Sequence, residues 1–132
     1  MGLSKPKNVT VDGGELEMEL LWENASPRSE FVGQTLSIDF SQYDGIQIDC
    51  YEFADTTVGF SGVIIFNNFE TIAPHCFLIA PNAYSKKVFF RGAAYTNGSL
   101  EITPARNTSD DTTNSIWCIP YKIYGIKGVK TA

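Results

Sequence analysis

The chain has 132 residues and a formal net charge of −5, and 13% of its residues are aromatic, with nine Phe, six Tyr and two Trp. That length is one domain with room for a real core, and the aromatic content excludes intrinsic disorder. The acidic balance excludes a general attraction to phosphate backbones, so nucleic acid is not an expected partner.

Residues 1–14 are polar, with Pro6 and the Gly13-Gly14 pair. They are expected as an N-terminal arm with a short strand at Val9–Val11 and a turn, ahead of a single domain over 15–132. Met1–Lys7 lacks the apolar stretch of a secretory signal, and Pro6 stands where myristoylation wants Ser or Thr. The longest apolar run, Val63–Phe66, is strand-sized and far too short to cross a bilayer. The expectation is a soluble protein made in a cytoplasm.

Glu15–Trp22 alternates with period two. Leu16, Met18, Leu20 and Trp22 are predicted to face the core, and Glu15, Glu17 and Glu19 the solvent. Three like charges on one face suit a wet strand and discourage edge pairing. They diverge too far, at about 6.6 Å per two residues, to make a metal site. Asn24–Glu30 reads as a loop from its breakers. Gln34–Phe40 alternates again, with Leu36, Ile38 and Phe40 inward, and Ser41–Gly45 is a turn. In Ile46–Phe53, Ile46, Ile48 and Cys50 share one face, while Gln47, Asp49, Tyr51 and Phe53 share the other.

Thr56–Phe66 is predicted as a strand kinked at Gly59 or Gly62, where a missing side chain permits a bulge. Cys76–Ala80 is a short apolar strand, and Lys86–Tyr95 is the next. Asn97-Gly98 is the strongest hairpin signal, because a type I′ turn needs positive φ at both central residues. It leads into Ser99–Thr103, then a polar loop over 104–114. The apolar, aromatic run Asn114–Lys127 is too sticky to be left loose and is predicted to close the sheet as a long strand, with Pro120 at an edge or a bulge. Trp22 and Trp117 are expected in the core. No window carries a helical repeat, and turn signals recur every 8–12 residues. The predicted fold is all-β, an antiparallel β-sandwich, jelly-roll-like, of about eight strands.

The residues for most chemistry are missing. One histidine, His75, rules out His-pair metal motifs. Its neighbour Cys76 points to the opposite face of a strand, so the two make no nucleophilic dyad. There is no nucleophile elbow and no phosphate-binding glycine loop. Asp39, Asp44, Asp49 and Asp110-Asp111 read as solvated turn acids rather than a glycosidase pair, with no EF-hand-like spacing for calcium. Cys50, Cys76 and Cys118 each lie in an apolar run and are expected as free thiols, with one disulfide plus an odd thiol as the alternative. The four Asn-x-Ser/Thr triplets read as turn composition. No metal, no cofactor and no enzyme are expected, which leaves binding or assembly. Tyr51, Phe53, Tyr84 and Tyr95 are the candidate ligand-binding residues, since aromatics outside a core stack on sugars and anchor interfaces.

Two segments resemble a known pattern. Leu20–Ile48 places Leu21-Trp22, Asn24 with Pro27, Phe31 with Gln34-Thr35, and Tyr43-Asp44 in an order similar to that of small tail or tail-fibre proteins of phages infecting Gram-positive gut bacteria. Cys118–Lys127, with Pro120, Ile123, Tyr124, Gly125 and Ile126, is similar to the close of those proteins. Together the segments cover about a third of the sequence. The resemblance implies a virion structural role, often trimeric, with adhesion or decoration as the task. It carries over no binding residue, and Tyr51–Asn114 falls outside it.

The expected function is therefore a phage virion structural protein assembled in the bacterial cytoplasm. It would be tail-associated or a receptor-binding tip domain, with other virion proteins and a host surface saccharide or protein as partners and a homotrimer as the assembly. A capsid decoration or head-fibre module docked by residues 1–14 is the alternative within that class. A stand-alone carbohydrate-binding module or glycan-cleaving enzyme is the alternative outside it.

Overall fold

The computed structural model describes residues 10–11, 14–66, 73–82, 87–109 and 113–128. Among them there is no helix, and eleven strands run in chain order. These are β1 (Thr10–Val11), β2 (Gly14–Glu15), β3 (Glu17–Glu23), β4 (Gln34–Ser37), β5 (Gly45–Phe53) and β6 (Gly59–Ile65), then β7 (His75–Asn82), β8 (Lys87–Thr96), β9 (Ser99–Ile102), β10 (Arg106–Asn107) and β11 (Trp117–Lys127). β1 and β2 form a small hairpin. The other nine make two antiparallel sheets, which pack as a β-sandwich.

The first sheet has the order β3-β11-β5-β6. In the second, β7 lies along one side of β8, β9 and β10 share its other side, and β4 pairs with β9. Period-two segregation builds the space between the sheets. Ile46, Ile48 and Cys50 from β5, Ile64 from β6, Leu78 from β7, Leu100 and Ile102 from β9 and Ile123 from β11 meet there with Phe40. Each such aliphatic side chain stabilises the fold by roughly 1.5–3 kcal/mol on burial. The Asn97-Gly98 turn closes β8 onto β9 with φ of 43° and 85°, the positive pair a type I′ turn demands.

The C-terminal run forms the longest strand, β11, and it lies in the interior of its sheet between β3 and β5. Pro120 is thus fully buried in a central strand, and a bulge accommodates it. The β5 partner steps from Cys50 at Pro120 to Asp49 at Lys122, leaving Tyr121 as the extra residue. Asn24 covers the spot by donating from Nδ2 to the Pro120 carbonyl at 2.9 Å and from its backbone N–H to the Tyr121 carbonyl at 2.9 Å.

Three expectations need correction. Met18 and Leu20 point away from the core and are 43% and 44% exposed. A second bulge is the reason: Trp22 pairs with Ile123 but Leu20 with Tyr124, so Leu21 is extra and the alternation of β3 changes phase there. Leu21 and Trp22 pack on the core, and Glu19 turns towards Tyr43, whose hydroxyl donates to it. Neither Gly59 nor Gly62 carries a bulge, because β5 and β6 pair without a break from Gly45↔Ile65 to Tyr51↔Gly59. Gly62 is instead a packing requirement: a Cβ there would lie 2.5 Å from Leu78 Cδ2 of the facing sheet. The polar loop after β9 also contributes a strand, β10, which pairs with Phe89 and Phe90.

The deepest polar group is Arg91, with no exposed surface. Its Nε and Nη2 donate to the Trp117 carbonyl at 3.1 and 3.0 Å, Nη2 also to Ser115 O at 3.2 Å, and Nη1 to Thr103 O at 3.2 Å. Its guanidinium carbon sits 5.2 Å from the centre of the Phe31 ring. Cys118, the residue after the doubly used carbonyl, has φ of 53°, a left-handed conformation rare outside glycine. Replacing Arg91 by Met should cost about 3–5 kcal/mol in urea unfolding, because three carbonyls lose their donors. Arg91→Lys should recover little of it, since one ammonium cannot span the fork. Gly62→Ala should cost about 1–3 kcal/mol by overpacking, and adding Leu78→Val should return part of that loss.

Candidate functional site

One end of the sandwich carries an open slot of about 380 Å3 lined by Phe66, Ala73, Pro74, Tyr95, Thr96 and Asn97. Phe66 is held where β6 ends by its backbone N–H donating to Asp44 O at 2.9 Å. Tyr95 stands just before the hairpin turn, and its backbone N–H donates to Pro74 O at 3.0 Å. The Tyr95 hydroxyl accepts from the backbone N–H of Phe40 at 3.0 Å and of Gly98 at 3.1 Å. Its ring meets Phe40 edge-on at 5.2 Å and stacks on Phe66 at 5.5 Å and 29°. The slot therefore has a stiff aromatic floor, a proline wall and a polar lip at Thr96 and Asn97. Such a surface fits the apolar face of one sugar ring or one apolar side chain.

The four aromatics chosen from sequence do not converge. Tyr95 lines the slot. Tyr51 lies towards the opposite end, on the outer face of the first sheet, where it stacks on Tyr121 at 4.0 Å and 12°. The Arg28 guanidinium sits 5.5 Å from the Tyr51 ring centre while its Nη1 donates to Ala54 O at 3.2 Å and Thr56 O at 2.7 Å. Burial raises the Tyr121 hydroxyl above its ordinary pKa, with the Asp49 charge adding to the effect. Asp49 accepts from Gln47 Nε2 at 2.9 Å and Ser61 Oγ at 2.7 Å, so its carboxylate serves the sheet surface. Phe53 packs on Trp117 at 5.0 Å, and Trp117 is stacked face to face on Phe89 at 4.1 Å. Tyr84 lies outside the described residues.

Phe66 and Pro74 complete the slot and had no signal in the sequence, since they come from strand ends that only the folded chain places beside the hairpin. Tyr121 carried a signal: it follows Pro120, whose bulge turns its ring onto Tyr51.

The three thiols are wholly or partly withdrawn from solvent. All three cysteines are free; Cys50 and Cys118 are buried and Cys76 is half-buried. Burial pushes the Cys118 thiol up to about 12 and that of Cys76 to about 11, and raises Cys50 well above its usual value. The Cys118 thiol donates to Phe89 O at 3.4 Å. Burial lowers Arg91 to about 10, with the Cys118 and Cys50 thiols opposing that shift, so the guanidinium is charged at neutral pH. Cys76 packs on the core while His75 is exposed and bonds through Nδ1 to Ala73 O at 3.0 Å, so the two neighbours occupy opposite faces. Among the described residues no three His, Cys, Asp or Glu side chains gather in a way that could hold a metal ion.

No known family model matches the chain, and no curated protein matches it.

Tyr95→Phe should lower stability by about 1–3 kcal/mol, because two backbone donors lose their acceptor; denaturant titration measures it. Each thiol holds its proton to higher pH in the fold than in the unfolded chain, so the stability it contributes is whole below about pH 9 and is lost as pH rises towards 12. Arg91 acts oppositely, because burial lowers it, but it is one group set against three raised thiols. Melting should therefore fall from pH 8.5 to 11, as followed by circular dichroism over about that range. The fall should be shallower in Cys118→Ala.

Proposed function

We propose that this chain is a structural protein of a phage virion, tail-associated, whose slotted end is a tip that binds a host surface ligand. The observation that carries the reading is the slot itself. Tyr95 is anchored by two backbone hydrogen bonds and backed by Phe40, so its ring and that of Phe66 are ordered before any ligand arrives. Pre-ordered aromatics lose little freedom on binding, which is what a repeated, weak surface contact needs. The resemblance of Leu20–Ile48 and Cys118–Lys127 to tail proteins supports the same reading. The role is one of recognition, with no bond made or broken by this chain.

A specific feature favours a second reading, attachment to another virion protein as a decoration or head-fibre module. The outer face of the second sheet exposes Phe77 at 58% and Ile79 at 52%, beside the half-buried Phe90. Apolar side chains that large, side by side, suit a protein interface better than free water.

Ala73 is exposed on the wall of the slot, and Ala73→Trp fills it without touching the core. The labelled protein should bind cells of a Gram-positive gut strain in a panel, and Ala73→Trp should weaken that binding about tenfold or more, roughly 1.4 kcal/mol, at an unchanged melting temperature. Binding that survives the substitution, or is missing across the panel, would remove the tip reading; purified virions containing the protein beside the capsid would favour the second.

A further inference from the structure

The two edges of the first sheet differ in a way that selects a partner. Both edge strands, β3 and β6, are seven residues long, and among the described residues each pairs on one side only. β3 carries Glu17, Glu19 and Glu23. From Val58 to Phe66, around β6, there is no charge and no proline. Edge strands facing water ordinarily carry such guards, because their free N–H and C=O groups recruit other strands. β6 is unguarded.

The outer face adds a second, independent asymmetry. Two rows of side chains cross the sheet from edge to edge, Met18–Ile126–Gly45–Ile65 and Leu20–Tyr124–Gln47–Val63. Both rows begin and end in large apolar residues that are part-exposed: Met18 43%, Leu20 44%, Ile65 37% and Val63 45%. Among the described residues neither row continues past β3 or β6.

Resting on the reading of this chain as an assembly subunit, we propose that β6 of one copy pairs with β3 of a second copy, head to tail, to extend the sheet and close a ring. The strand polarity permits it. Successive antiparallel pairings leave β3 and β6 running in opposite directions, so copies related by rotation about an axis along the strands bring them together antiparallel. The lengths match, and the apolar ends of the two rows meet across the contact, Val63 and Ile65 against Leu20 and Met18. The charge pattern chooses among the alternatives. Two β3 strands would set glutamate against glutamate, which is destabilising. Two β6 strands would avoid that clash but leave Met18 and Leu20 in water. The mixed pairing sets the glutamates of β3 against an uncharged strand and covers both apolar ends. A contact between different surfaces of identical subunits forms rings when the rotation closes.

Light scattering coupled to size exclusion tests this on the full chain. The wild type should run as a closed oligomer at micromolar concentration. Val63→Lys and Leu20→Lys, each at a part-exposed outward position, should both run as folded single copies. Mixed in equal amounts they should give a two-copy species, because Val63→Lys keeps a sound β3 edge and Leu20→Lys a sound β6 edge. A wild type that stays single, or an oligomer that survives Leu20→Lys but not Val63→Lys, overturns the proposal, the latter in favour of a two-fold β6 pair. Cell binding is read separately: a single-copy protein that still binds cells removes the ring and keeps the tip, and a ring that binds no cell does the reverse.

Discussion

A single buried guanidinium holds the sandwich closed at one end. Arg91 comes from the middle of β8, and the carbonyls it serves belong to the segment after β9 and to the approach and first residue of β11. A charged group placed between two sheets is costly unless its donors are filled. Here backbone oxygens fill them. The cost of burial becomes a constraint on the chain: the loop ahead of β11 has to pass over Arg91, and Cys118 has to take a left-handed conformation while the Trp117 carbonyl turns inward. Trp117 is thereby set down on Phe89, and β11 starts in the register that places Ile119 and Ile123 in the core.

From that start, two single-residue bulges decide which faces are wet. Tyr121 is extra opposite β5, and Leu21 is extra opposite β11. A bulge exchanges inside for outside along the rest of a strand. The first lets a buried proline sit in a central strand and sends Tyr121 out to Tyr51. The second turns Met18 and Leu20 outward, so that the outer face carries large apolar side chains at the β3 edge as well as at the β6 edge. The surface proposed for self-assembly thus follows from one extra leucine in β3. The slot, by contrast, follows from the hairpin turn, which fixes Tyr95 beside the end of β6. Assembly and ligand binding would use different parts of the molecule, edges for one and an end for the other.

The strands of the core were legible because their side chains alternate without interruption: Ile46, Ile48 and Cys50, or Leu100 and Ile102, have one arrangement that buries them all. The hairpin at Asn97-Gly98 was legible for a local reason, since few dipeptides accept two positive φ values. The site was legible only in fragments. Tyr95 was visible as an aromatic beside a turn, but its hydroxyl partners, Phe40 and Gly98, are a matter of tertiary packing. Arg91 gave no sign of its burial, because an arginine inside an apolar strand reads the same whether it faces solvent or carbonyls.

Composition and period-two patterning by themselves determined that this chain is an antiparallel β-protein whose C-terminal run belongs to the core, because alternating side chains can be segregated from water in only one secondary structure. Only the tertiary structure decided the phase of that alternation in β3, the central place of β11 and the meeting of Phe66 with Tyr95. Those depend on bulges and on contacts between distant segments, and neither leaves a local trace in the order of residues.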